Sequence, residues 1–151
     1  MVGDDQERQT RDEALGRGGD VRLVVPASPE YLRLVRLTAA GLASRLGFTF
    51  DEVEDLRIAV DELCFQLLGG AGNGHGDGDG DPSRADELRT MDLTYSAGAD
   101  SITITGRTGL TGPVPAPSDL SEQILDALVD EHEVSGGDGV VMFRLKKQRE
   151  S

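Results

Sequence analysis

Asp55-Leu56-Arg57-Ile58-Ala59-Val60-Asp61-Glu62-Leu63-Cys64 is the stretch on which the fold of this chain turns. Its apolar residues belong to a series at spacings of three and four, Val53, Leu56, Ala59, Val60, Leu63 and Leu67, which predicts an amphipathic helix with one buried stripe. Asp51 opens that helix, with Glu54 three residues on in the capping-box position. The opposite side is acidic: Asp51, Glu52, Glu54, Asp55, Asp61 and Glu62 stand against Arg57 alone. The early acids suit the positive end of the helix dipole, which fades within a turn. Asp61 and Glu62 lie too far along for it and need another partner. Cys64, the one cysteine, cannot form an internal disulfide and reads as a buried, inert thiol.

Upstream, Val21 to Val25 alternates and is β-branched, a strand that Pro26 ends. Ser28-Pro29-Glu30 is a helix start with Ser at the cap and Pro in the first turn. The helix it opens runs from Tyr31 to Leu46, carries Leu32, Val35, Ala39, Leu42 and Leu46 on one face, and stops at Gly47. Arg33 and Arg36 share a neighbouring face as a small basic patch, either solvated or a partner contact. Residues 1–19 are polar and glycine-ended and read as a disordered arm.

Downstream, Gly69 to Asp81 is a glycine-aspartate tract that reads as a flexible loop. An EF-hand on Asp77, Asp79 and Asp81 fails, because Pro82 stands where Gly is needed and Leu88 where Glu is needed. Met91 to Tyr95 and Ser101 to Thr105 alternate as strands around the turn Ala97-Gly98-Ala99-Asp100. A loop from Gly106 to Pro117 follows, and then Ser118 or Asp119 caps a third helix with the stripe Leu120, Ile124, Leu128 and Val129. His132 to Val134 and Val140 to Leu145 close the domain as strands separated by Ser135-Gly136-Gly137-Asp138. Paired strands with helices between them predict an α+β sandwich with the helices on one sheet face. The expected domain is residues 20–147, with 148–151 as a tail.

The formal net charge of −13 argues against direct contact with nucleic acid, where Lys and Arg must replace phosphate counterions. It favours a basic protein partner, or simply solubility. Without a signal-peptide pattern or an apolar run near about 18 residues, the chain is expected in the cytoplasm, off the membrane. His75 and His132 have no Cys in zinc-ligand spacing, and no P-loop or Ser-His-Asp pattern occurs. A metal-buffering or purely structural acidic domain built on the Asp-Gly tract lacks an ordered ligand set.

The stretch from Asp55 to Cys64 resembles the N-box helix of GHKL ATPases, in the variant of bacterial anti-sigma factors that double as serine kinases, the RsbW type. The resemblance covers about residues 20 to 147, including the tail Ala127-Leu128-Val129-Asp130-Glu131 followed by Gly139 and a strand. It implies a single GHKL-like (Bergerat-type) two-layer sandwich, a mixed β-sheet with helices on one face. It also implies that Glu62 is the general base, that Gln66, at the family's Asn position, is the magnesium ligand, and that ATP is the cofactor. Gly70, Gly106, Thr108, Asp119 and Ser121 then hold the remaining ATP-box positions. The boxes are degenerate. Gly106-Arg107-Thr108-Gly109-Leu110 lacks the Asp that reads adenine in the family, and Asp119-Leu120-Ser121 replaces phosphate-binding glycines. Gln66 is one methylene longer than Asn, and Gly70-Ala71 stands where the family carries His-Ala. The partners implied are a sigma factor and a STAS-type anti-anti-sigma protein, with a homodimer as the common assembly. The resulting expectation is an anti-sigma-like binding protein with lost or weak ATP binding. The alternative is an active ATP-dependent serine/threonine kinase acting on an anti-anti-sigma factor.

Overall fold

The computed structural model describes residues 20–68, 89–109 and 116–150. The expected arm at 1–19, the tract from Gly69 to Asp81 and most of the proline-bearing loop lie outside the described residues. Strand β1 (Asp20–Pro26) leads through a 3-10 turn (Pro29–Tyr31) into helix α1 (Leu32–Arg45), then helix α2 (Phe50–Leu67). Strands β2 (Thr90–Ala97) and β3 (Ser101–Gly109), helix α3 (Asp119–Leu128) and strands β4 (Glu131–Gly137) and β5 (Val140–Gln148) follow.

Among the described residues these strands form one sheet in the order β1-β2-β3-β5-β4, every neighbouring pair antiparallel. The α+β class and the helices packed on the sheet agree with expectation; the mixed sheet does not. Two helices separate β1 from β2, so the chain returns to the end where β1 finished and must run back beside it. The single helix α3 does give β3 and β4 a common direction. The hairpin strand β5 lies between them, and no parallel ladder forms.

Alternation sets the core. Val25, Met91, Thr108 and Val141 share one row across the sheet, and Leu23, Leu93, Gly106, Phe143 and Val134 the next. These rows meet the stripes of α1 (Leu32, Val35, Ala39, Ala43) and α2 (Val53, Leu56, Ala59, Val60, Leu63, Leu67), all buried. The buried Tyr95 hydroxyl donates to the Val35 carbonyl at 3.0 Å, tying β2 to α1. Cys64 is fully buried beside them, and burial pushes its thiol well above the usual range, as expected of an inert cysteine.

Local starts and stops differ from the sequence expectations by a few residues. Ser28 precedes a 3-10 turn and makes no side-chain cap. The α2 box is Thr49 with Glu52 rather than Asp51 with Glu54. The Glu52 N–H donates to Thr49 Oγ1 at 3.1 Å, and the Thr49 N–H donates to Glu52 Oε1 at 2.8 Å. Glu54 instead accepts from Arg57 at 2.7 Å. Of the expected α3 stripe, Val129 is buried and Ile124 and Leu128 are half-buried, but Leu120 is not part of it. Leu120 is 66% exposed, while Ser121 and Leu125 are buried, because Ser121 turns toward α2. The β4–β5 turn is Asp138-Gly139, both at positive φ (55° and 81°), the two-residue aspartate-glycine hairpin geometry, so β4 extends through Gly137.

Glu52 has a second task. Its Oε2 accepts from the Glu150 N–H at 2.7 Å, and Arg149 donates to Asp100 Oδ1 at 2.9 Å, so the chain stays pinned beyond residue 147. The Thr49 and Glu150 backbone N–H groups hold the Glu52 carboxyl below the ordinary carboxylate range. A depressed folded value means the stabilisation is present above the unfolded pKa and lost as pH falls through the folded one. Glu52→Gln is therefore expected to lower the melting temperature at pH 7 and to flatten its fall below about pH 4.3. Thermal melts from pH 2 to 7 check this; an acid limb parallel to that of the unsubstituted protein would contradict it.

Candidate functional site

Residues i and i+4 on a helix share a face. On α2 this puts Glu62 and Gln66 together, one turn apart, against the first turn of α3. Ser118 caps α3, its Oγ accepting from the Ser121 N–H at 3.0 Å, which fixes Ser121 at the seam between the helices. The Ser121 hydroxyl donates to Glu62 Oε2 at 2.7 Å and accepts from Gln66 Nε2. Ser121 is 5% exposed and Gln66 8%, so these two are nearly shut off from water, while Glu62 at the outer end is half-buried. Gln66 Oε1 is buried with no hydrogen-bond partner among the described residues.

The acids left over by helix capping now have partners. Asp61 accepts from Arg36 Nη1 of α1 at 2.8 Å, and Glu62 accepts from Ser121. Arg36 therefore leaves the basic patch expected with Arg33 and joins a bridge between helices. Asp119, exposed in the first turn of α3, sits where the helix dipole favours an acid.

Of the residues singled out by sequence, Glu62, Gln66 and Ser121 come together. Gly106 and Thr108 do not join them. The expected loop beginning at Gly106 is strand as far as Gly109, and both residues lie in β3, facing inward. Thr108 is buried and donates to the Thr90 carbonyl at 2.7 Å. A Cβ on Gly106 would stand 2.6 Å from Phe143 Cε2, so the bare backbone there is what Phe143 packs on. Gly70 lies outside the described residues. Phe143 and Ser118 matter here more than sequence reasoning suggested. The strand expected over Val140 to Leu145 includes Phe143, but nothing in the sequence pairs it with Gly106.

The seam predicts its own mutational signature. Ser121→Ala removes both hydrogen bonds and leaves the Glu62 carboxylate and the Gln66 amide facing an apolar methyl. The expected cost is about 1–3 kcal/mol in urea unfolding. A change below a few tenths would show that the seam contributes nothing.

An antiparallel sheet with a helix layer on one face and a Glu-x-x-x-Gln pair on its second helix defines an α+β domain of the GHKL type. No protein-family model matches the chain. Its sequence is 30% identical over 135 residues to the serine-protein kinase RsbW of Bacillus velezensis, covering 83% of this chain and 84% of that protein. The chain belongs to the RsbW family of serine-protein kinases. It shares 57% identity over 44 residues with RsbW of Bacillus subtilis, a match spanning 29% of this chain and 28% of that relative. Its fold is similar to a crystal structure of the RsbU and RsbW domains of Rv1364c from Mycobacterium tuberculosis, with a TM-score of 0.62 and 14% identity. That superposition covers 86% of this chain and 32% of the other. Among the described residues no helix is long and apolar enough to cross a membrane.

Proposed function

We propose that this chain is an anti-sigma-type regulator that acts in the cytoplasm by binding protein partners, with magnesium-ATP binding lost or weak. The partners proposed are a sigma factor and a STAS-type anti-anti-sigma protein, with the domain of residues 20–147 as the working unit and a homodimer as its assembly. The observation that carries the reading is the Ser121 hydroxyl bridging Glu62 and Gln66. Four features of the described residues support weak or lost magnesium-ATP binding. The space between the N-box pair and α3 is bridged by single hydrogen bonds, where phosphates and a metal would need separation. At Gly106, where the family's adenine-reading Asp would stand, Phe143 occupies the place of a side chain. Thr108 is committed to Thr90, and a carboxylate, Asp119, stands where backbone N–H groups would meet phosphate. Gln66 Oε1 is buried without a hydrogen-bond partner among the described residues, while its amide nitrogen is committed to Ser121.

Calorimetry with magnesium-ATP and magnesium-ADP, together with complex formation with sigma and anti-anti-sigma proteins of the family, tests this. No heat and a stable complex is the expected result. A nucleotide Kd tighter than about 100 μM, roughly 5.5 kcal/mol, would overturn the lost-nucleotide part. Absence of any complex would overturn the binding part.

One observation favours the active-kinase reading. Glu62 Oε2 already accepts from a serine hydroxyl at 2.7 Å, the contact a general base makes with its substrate. The relatives' name, serine-protein kinase, points the same way. Phosphate transfer from ATP to a serine of an anti-anti-sigma protein, abolished by Glu62→Ala, would establish it.

A further inference from the structure

Helix α2 carries on its outward side two large apolar residues that stay exposed among the described residues. Ile58 is 50% exposed and Phe65 43%. Lone exposed hydrophobics are ordinary on a soluble protein. These two are seven residues apart, within about 20° of each other around the helix, and so form one ridge about 10 Å long. Phe50, at the helix start and 76% exposed, flanks the same side.

The ridge is bordered by polar groups that are already satisfied. Arg36 holds Asp61 at 2.8 Å and Arg57 holds Glu54 at 2.7 Å. These four residues and Ile58 line a shallow concavity of about 170 Å³ between the ridge and α1. An apolar strip with a paired polar rim is the anatomy of an interface core and its border. Asp51, exposed and seven residues before Ile58, carries its carboxylate in line with the strip, while Asp55 on the far flank is already paired with Lys147 at 3.9 Å.

We infer that this α2 ridge is a docking surface for a cationic amphipathic helix of another protein. A helix laid along α2 presents apolar residues at i, i+3 or i+4, and i+7, which matches the ridge length. A Lys or Arg beside its apolar face meets Asp51, and the chain's net charge of −13 steers the encounter. A second copy of this chain is the wrong occupant, because the arginines beside its ridge, Arg36 and Arg57, are already paired with Asp61 and Glu54 and leave no cation there to meet Asp51. The inference rests on the reading of the chain as a partner-binding regulator, and adds to it the surface and the chemistry of the partner.

The test uses the full chain and a labelled helix-forming peptide of about 18 residues, with leucines on one face and lysines on the other, followed by fluorescence anisotropy at 150 mM salt. Ile58→Ala with Phe65→Ala leaves charge unchanged and is expected to weaken binding at least about tenfold. Thr90→Lys with Ser135→Lys, on the open face of the sheet, alters charge away from the ridge and is expected to change it less than about threefold. Circular dichroism and urea midpoints confirm that each variant folds. Equal weakening by both pairs means bulk charge alone and overturns the inference, as does an unsubstituted protein that leaves the peptide free. Such failure alongside an intact complex with an anti-anti-sigma protein sinks the ridge and leaves the proposed function standing. Failure of both sinks both.

Discussion

Leu63→Asp is expected to abolish cooperative folding. Leu63 sits in the middle of α2 with no solvent exposure, among Leu56, Ala59, Val60 and Leu67 of the same stripe and the inward rows of the sheet. Replacing it loses the buried leucyl surface, which Leu→Ala changes elsewhere put at about 2–5 kcal/mol. It then adds a carboxylate inside an apolar core, at a further cost of several kcal/mol. The sum approaches the roughly 5–15 kcal/mol that holds a domain together. Thermal and urea melts followed by circular dichroism check it, with Leu63→Ala as the milder companion that should still unfold cooperatively. A sigmoidal melt for Leu63→Asp near the unsubstituted midpoint would mean that α2 does not centre the core.

Gly106→Asp is the second large effect, and it bears on the site as well as on stability. The substitution restores the residue type that the family uses to read adenine, so nucleotide chemistry alone would welcome it. Packing forbids it. The new Cβ would meet Phe143 Cε2 at 2.6 Å, and the carboxylate would be pushed among Leu93, Phe143 and Val134 in the same inward row. Gly106→Ala isolates the steric part and is expected to cost about 1–3 kcal/mol. Gly106→Asp is expected to leave little folded protein. Pairing Gly106→Ala with Phe143→Leu should recover part of the loss, since a smaller side chain removes the ring that the Cβ strikes. A folded Gly106→Asp protein that binds magnesium-ATP would reverse the reading of Phe143 as the group that fills this place.

Sequence patterns resolved the helices best. The stripe of α2 has a period that only a helix satisfies, and every position read into it is buried. Strand positions followed from alternation for the same reason, although their ends did not. Strands β3 and β5 run on to Gly109 and Gln148, because ladder partners extend a strand past the residues whose own preferences suggest it. The α3 stripe holds at Leu128 and Val129 but not at Leu120. An apolar series of Leu120, Ile124 and Leu128 is a helical face by periodicity, yet hydrogen bonding of Ser121 to α2 set which face turned inward.

The site divides along the same line. Glu62 and Gln66 could be paired from sequence because a spacing of four is a local property of helix geometry. Ser121 lies 55 residues from Gln66, and Asp61 lies 25 from Arg36, so no local rule connects them. By itself the sequence determined the α+β class, the two long helices, the core stripe and the family. Periodicity and motif spacing are short-range, and those features need nothing more. Only the tertiary structure decided that the sheet is antiparallel throughout, that Gly106 makes room for Phe143, and that Ser121 closes the seam over Glu62 and Gln66. Each depends on which distant segments meet, and that is set by the packing of the whole core rather than by any stretch of chain.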